Sequence, residues 1–228
     1  KLYFLSPTQG TQQVFRYDFK LKSAAAITKL TDDVAEHTEV TVGYDAKRKQ
    51  DVVVTARMSI SAPTELFRID VKTGVNQPIS AFNAELLASL KLGKVEKRMV
   101  KATDGKEILT WVITPPDMQP GKKYPALLYC QGGPQSMVGQ FWSYRWNFQL
   151  MAANGYVVVA PNRRGLPGFG SEWNDAISGD WGGQAMKDLL SAIDSVSNES
   201  YVDKNRLGAV GASFGGYSVY WLAGNHNG

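Results

Sequence analysis

The feature that most narrows what this chain can fold into is Gly211-Ala212-Ser213-Phe214-Gly215, a serine between glycines where an apolar run, 207–210, meets a helix-like run, 217–222. A strand that turns at once into a helix belongs with parallel neighbours, because the helix carries the chain back along a face of the sheet. The glycines have a mechanical reason. The turn is sharp, backbone segments close on one another around it, and a side chain at either flanking position would clash. Ser213 is left projecting from the sheet, where its hydroxyl is expected to act as a nucleophile.

The preceding residues fit such a sheet. Residues 126–130 and 156–160 are continuous apolar runs, as expected of strands covered on both faces. Between them a helix is predicted over 143–154, with Trp146, Leu150 and Met151 among its apolar positions and Gly155 placed to end it. Met186, Leu189, Leu190 and Ile193 fall at i, i+3, i+4 and i+7, which predicts an amphipathic helix over 184–197 before a strand over 206–211. Upstream, 95–101 and 107–114 predict a hairpin closed by Asp104-Gly105.

Residues 1–80 read differently. Val40, Val42 and Tyr44 alternate with polar neighbours, as do Phe67, Ile69 and Val71, and helical periodicity is scarce. Phe15-Arg16-Tyr17-Asp18-Phe19-Lys20 matches Phe67-Arg68-Ile69-Asp70-Val71-Lys72 at an offset of 52 positions. Four-stranded propeller blades repeat at about that interval; chance similarity of two amphipathic strands is the other reading. Leu86, Leu87 and Leu90 predict a short connecting helix closed by Gly93.

With 228 residues, 43% of them hydrophobic, the chain can bury one or two cores. The net charge of +4 is scattered; its one tight group, Lys47-Arg48-Lys49, reads as a solvated turn, so neither nucleic acid nor a membrane is expected as a partner. No apolar run approaches the roughly 18 residues of a membrane span. Cys130 is the single cysteine, so no internal disulfide can form. The first seven residues are too short and too quickly polar for a secretory segment, and read as a chain that starts inside a strand, as a fragment would. Periplasmic and cytoplasmic locations and a homo-oligomer are all compatible with this composition. No metal or cofactor is expected.

A serine hydroxyl needs a histidine to take its proton and a carboxylate to orient that histidine. In the strand–serine–helix arrangement these follow the serine in the order acid, then histidine. Only 15 residues follow Ser213 and none is Asp or Glu. His226 is 13 positions on, and His37 lies in the β half. The nucleophile is therefore expected without its base, the Asp and His belonging to a C-terminal part outside this chain, and the fragment alone is expected to be inactive. For the oxyanion, one donor is expected from the Phe214 N–H and a second from the loop Gln131-Gly132-Gly133-Pro134, through the Gln131 side chain or the Gly132 backbone.

The chain resembles the prolyl oligopeptidase family of serine peptidases, nearest its acylaminoacyl-peptidase and dipeptidyl-peptidase V branch. The resemblance rests on Lys123-Tyr124-Pro125-Ala126-Leu127-Leu128 leading into Gly132-Gly133-Pro134, then Asn162-Arg163-Arg164-Gly165, Gly168-Phe169-Gly170, Gly179-Asp180-Trp181-Gly182-Gly183, Tyr201-Val202-Asp203 and Gly211-Ala212-Ser213-Phe214-Gly215-Gly216-Tyr217, in that order. It implies an α/β fold class: the N-terminal part of an α/β-hydrolase domain over 95–228, preceded by the last blades of a β-propeller over 1–80 and a connecting segment over 81–94. It also implies a serine exopeptidase that acts on short peptides, releasing dipeptides or acylated residues from the N-terminus through an acyl-enzyme on Ser213.

Two positions depart from the family's habit. Gln131 stands where many relatives carry Tyr or His, and Phe214 where Tyr is common; there the ring lines the pocket for the residue before the cleaved bond, which implies a small or hydrophobic preference. Arg164, Asp180 and Trp181 read as supports of the loop beside the site. The competing readings are a carboxylesterase or lipase of the same fold, and a non-catalytic module with a vestigial elbow.

Overall fold

The computed structural model describes residues 1–226, which divide into two units, one of Lys1–Leu90 with Gly139–Trp146, the other of Lys91–Val138 with 147–226. The chain as a whole is mixed α/β.

The first unit contains β1 (Leu2–Thr8), β2 (Thr11–Tyr17), β3 (Ile27–Lys29), β4 (Glu36–Asp45), β5 (Gln50–Ser59), β6 (Ala62–Ile69), β7 (Asn76–Pro78) and α1 (Ala84–Ser89). β1, β2 and β3 are antiparallel neighbours, and so are β4, β5, β6 and β7; a single parallel pair, Gln12 with Glu36, joins the two sets. The matching hexapeptides occupy equivalent places. Each carries the chain from the end of its strand, β2 or β6, into an aspartate just beyond it, whose Oδ1 accepts the N–H two residues on, from Lys20 at 3.0 Å and from Lys72 at 2.9 Å. Each aspartate's own N–H reaches across the turn, to the Ala26 or the Val75 carbonyl, before a three-residue antiparallel strand. Val14, Leu30, Val53 and Ile69 form the core.

A polar network is buried beside it. His37, with no exposed surface, sets Nε2 3.0 Å from Asp33 Oδ1 and Nδ1 3.2 Å from Thr55 Oγ1, while Arg57 Nε donates to Asp33 Oδ2 at 2.6 Å. Residues 139–146 also pack here: Gln140 Oε1 accepts the Ile60 N–H, and the Trp142 N–H meets Met58 Sδ, both at 3.3 Å.

Two helix expectations are corrected. The helix expected over 143–154 forms only as α2 (Phe148–Ala153), because Ser143 Oγ takes the N–H groups of Arg145 and Trp146 in a local turn and the helix starts afresh at Asn147, whose side chain accepts the Leu150 N–H. Gly155 follows in the left-handed conformation, φ +88°. Helix α1 buries none of its residues, Leu86 being 62% exposed, and Gly93 does not close it: the N–H and carbonyl of Gly93 pair with the Gln149 side-chain amide at 2.7 and 3.0 Å.

The second unit runs β8 (Val95–Lys101), β9 (Glu107–Ile113), β10 (Tyr124–Cys130), α2, β11 (Val157–Pro161), α3 (Ser171–Asp175), α4 (Gln184–Ser197), β12 (Val202–Gly211) and α5 (Phe214–Asn225). Its sheet has the order β12-β10-β11-β9-β8, with β10 parallel to both β11 and β12 and the β8–β9 hairpin antiparallel at one side. All five residues of β11 are buried. Met186, Leu189 and Ile193 of α4 join Val157, Val159, Leu128 and Phe214 in one core, the face that their spacing predicted. After β10 the chain places β11 on one side and β12 on the other. The carboxyl ends of β10 and β12 therefore flank a reversal of strand order, where open parallel sheets leave a crevice for ligands.

Candidate active site

Those two strand ends deliver the expected residues. Cys130 pairs with Gly211 at the last step of the β10–β12 ladder, so the loop from Gln131 and the turn through Ser213 leave the sheet side by side. Ser213 caps α5 with φ +57° and ψ −126°, a conformation that costs a non-glycine residue of the order of 1–3 kcal/mol and persists only where its surroundings enforce it. They do. A Cβ on Gly215 would lie 2.1 Å from the Cys130 carbonyl oxygen, and one on Gly211 would lie 2.6 Å from the same atom. The turn packs directly on the end of β10, and side chains there are sterically forbidden.

Phe214 is the first residue of α5, so its N–H has no acceptor within the helix and sits at the positive end of the helix dipole. Gly132 lies alongside: a Cβ there would be 3.1 Å from the Ala212 carbonyl and 3.7 Å from Ser213 Cβ. The Gln131 side chain is engaged at both ends, its Oε1 accepting from the Tyr129 hydroxyl at 2.7 Å and its Nε2 donating to the Met137 carbonyl at 3.1 Å.

The three polar residues after β11 hold the loops around this point. Asn162 makes a two-sided contact with the backbone of Val138, both bonds 2.9 Å. Arg163 has no exposed surface; its Nη1 donates to the Arg164 carbonyl at 2.8 Å, its Nη2 to the carbonyls of Gln131 and Pro134 at 3.2 Å, and its guanidinium lies 4.4 Å over the Phe214 ring. Arg164 bridges Asp188 of α4, with bonds of 3.0 Å from Nε and Nη2, and Asp104 of the β8–β9 turn. Burial lifts the Asp188 carboxyl above the usual range despite the bonds from Arg164 that pull it down. The spacing of apolar residues carries no sign of Asn162 and Arg163. The available signals are the motif Asn162-Arg163-Arg164-Gly165 and its position, polar residues set directly after a fully apolar strand.

Phe214 is only 6% exposed, with Trp181 and Tyr217 each against its ring at 5.3 Å. Trp181 is half exposed and Asp180 lies on the surface, its carboxylate against the Gly183 backbone. Burial pushes the Cys130 thiol up to about 12, so it stays protonated and is no competing nucleophile. The two histidines lie elsewhere. His226 caps the far end of α5, about 20 Å along the helix axis from Ser213, and His37 has both ring nitrogens bonded within the first unit. Among the described residues no group of three His, Cys, Asp or Glu could hold a metal ion, and no helix is long and apolar enough to cross a membrane.

Residues 142–228 match the model of the prolyl oligopeptidase family. The dipeptidyl-peptidase 5 of Porphyromonas gingivalis is 48% identical over 226 residues, covering 99% of this chain and 32% of that protein. The chain thus spans about a third of the length of this relative. Among solved structures, the acylaminoacyl peptidase of Pyrococcus horikoshii superposes with a TM-score of 0.84 at 23% identity over 99% of this chain and 34% of its own. An acylaminoacyl peptidase in complex with Z-Gly-Gly-Phe-chloromethyl ketone gives 0.85 with the same identity and coverage. Residues 142–228 thus belong to the prolyl oligopeptidase family.

Proposed function

We propose that this chain carries the nucleophile of a serine exopeptidase that removes dipeptides or acylated residues from the N-terminus of short peptides. The observation that carries the reading is Ser213, held at φ +57° between β12 and α5 with the Gly132 backbone alongside. Its relatives are named dipeptidyl-peptidase 5, and a neighbour of the same fold holds a peptidyl chloromethyl ketone. In this reading the second unit is the N-terminal part of an α/β-hydrolase domain. β4 to β7 form one four-stranded propeller blade, and β1 to β3 are the last three strands of the blade before it.

Ser213 Oγ attacks the scissile carbonyl while its proton passes to a histidine, oriented by an aspartate, both contributed from outside residues 1–226. The carbonyl oxygen, now negative, accepts hydrogen bonds from the Phe214 N–H and the Gly132 N–H. Fixed donors at that point act without reorganising and contribute several kcal/mol. We assign the second donor to the Gly132 backbone because the Gln131 amide is occupied by Tyr129 and Met137. The tetrahedral adduct collapses, the amine leaves with the proton from the histidine, and water then hydrolyses the acyl-enzyme. The buried Phe214 ring forms the floor of the pocket for the residue before the cleaved bond, with Trp181 and Tyr217 beside it, which favours small or hydrophobic residues.

The test compares a dipeptidyl p-nitroanilide, an acyl-aminoacyl p-nitroanilide and a p-nitrophenyl ester on the full-length protein and its Ser213→Ala variant, with fluorophosphonate labelling of Ser213. Amide cleavage abolished by S213A is the expected result. Ester turnover without amide cleavage makes it an esterase instead, and an unlabelled Ser213 makes the elbow vestigial.

A further inference from the structure

Arg163 is a fully buried cation that makes no ion pair among the described residues. Burial lowers its pKa to about 10, still well above neutral pH, and its Nε finds no hydrogen-bond partner. Such a charge is costly to desolvate and persists where its geometry is used. Its contacts are all backbone carbonyls and one ring: Gln131 and Pro134 of the loop after β10, Arg164 of its own turn, and Phe214 at the start of α5. Its own carbonyl is fixed by the Trp173 indole N–H at 3.0 Å. The guanidinium therefore joins the two separate chain segments that carry the oxyanion donors. Two of its N–H bonds hold the loop on which Gly132 sits, and its face holds the ring of the residue whose N–H is the other donor.

We infer that Arg163 is a positioning residue for the oxyanion hole, setting the distance between the Gly132 and Phe214 N–H groups by clamping the 131–134 loop to the Phe214 ring. The inference rests on the proposed hydrolytic function of Ser213. Lysine cannot replace it: a compact ammonium on a flexible stem cannot bond carbonyls on two sides in one plane while also covering a ring face. A donor displaced by the order of 1 Å costs about 100-fold in rate without comparable loss of ground-state binding.

The experiment uses the full-length protein with Arg163→Lys, which keeps the buried charge, and Arg163→Met, which keeps the volume. Turnover of a dipeptidyl p-nitroanilide and inhibition by a dipeptidyl boronic acid, whose tetrahedral adduct places an oxygen in the hole, are measured on both. R163K is expected to lower kcat at least tenfold with KM within threefold, and to weaken the boronate by a similar factor. R163K with kcat within twofold of wild type overturns the inference, as does a loss confined to KM, or a fall in kcat with boronate affinity unchanged. If R163M does not fold, R163K alone decides. A wild-type protein that neither cleaves the anilide nor labels with a fluorophosphonate sinks the proposed function, whereas an active wild type matched by R163K sinks only the role of Arg163.

Discussion

The backbone of Gly215 lies so close to the Cys130 carbonyl that an added Cβ would sit 2.1 Å from the oxygen. That contact fixes the turn bearing Ser213 to the end of β10, and nothing on the Cys130 side can yield, because the obstacle is backbone within a five-stranded sheet. Gly215→Ala is expected to destabilise the protein by about 3 kcal/mol and to slow fluorophosphonate labelling of Ser213 at least tenfold. Gly224, in the same helix, has nothing within 4 Å of an added Cβ; Gly224→Ala should leave labelling unchanged and stabilise by up to about 1 kcal/mol. Parallel labelling time courses and urea titrations on the two variants check the contrast.

The Gln131 amide spans Tyr129 and Met137, and this predicts a modest effect for its removal. Gln131→Ala removes the bonds to the Tyr129 hydroxyl and the Met137 carbonyl and should cost about 1–2 kcal/mol of stability, while kcat falls less than tenfold. Loss of a true oxyanion donor costs about 100- to 1000-fold. A kcat reduction of that size in Q131A, with KM unchanged, would assign the second donor to the Gln131 side chain in place of the Gly132 N–H.

Asp188 and Asp104 bind the same guanidinium from different surroundings. The Asp188 side chain has no exposed surface, whereas that of Asp104 is 35% exposed. Removing the buried partner leaves Arg164 desolvated and half paired, so Asp188→Asn should cost about 3 kcal/mol or more. Asp104→Asn should cost about 1 kcal/mol or less, because solvent replaces most of the lost interaction. Denaturation midpoints of the two variants decide it; equal costs would mean that burial does not set the value of this pair.

Elements whose formation is governed by local spacing were legible in the sequence. The apolar stripe of Met186, Leu189, Leu190 and Ile193 marks a helix whose bounds, Gln184–Ser197, agree with the predicted 184–197. The hairpin strands Val95–Lys101 and Glu107–Ile113 fall where Asp104-Gly105 separated them. What failed depended on distant partners. Trp146 and Leu150 share helical spacing, but residues 139–146 belong to the first unit, where Trp142 meets Met58 of β5, so the helix waits for its cap at Asn147. The leucines of α1 have that spacing without a surface to bury against. At the site, Ser213 and Gly132 could be named because steric demands around a sharp turn select glycine by type. The motif Asn162-Arg163-Arg164-Gly165 marked Arg163 without its role, since its partners are backbone carbonyls, which any sequence supplies.

Glu36 opens β4 and predicts a pH dependence local to the first unit. Burial pushes its carboxyl up from the ordinary 4.5 to about 7, only partly countered by a hydrogen bond from the Gln140 backbone N–H, and its Oε2 has no partner. A carboxyl whose folded-state pKa lies above its unfolded value binds protons more tightly when folded. Stability is therefore highest below pH 4.5 as far as this group is concerned, falls as pH rises from 4.5 to about 7, and levels off above, at a cost of about 3 kcal/mol. Asp33 works in the opposite sense outside that window: burial opposes it, but bonds from His37 and Arg57 hold it down at about 2, so its contribution is present above the ordinary 3.8 and is lost only as pH falls below it. Glu36→Gln keeps an acceptor for the Gln140 N–H and removes the charge. In the full-length protein, hydrogen exchange of the β4–β5 amides, compared between wild type and E36Q at one pH so that intrinsic rates cancel, should show near-equal protection at pH 5. At pH 8 the variant should be up to about 100-fold better protected. Equal protection at both pH values would show that Glu36 ionises freely at the head of β4 and that its burial carries no cost.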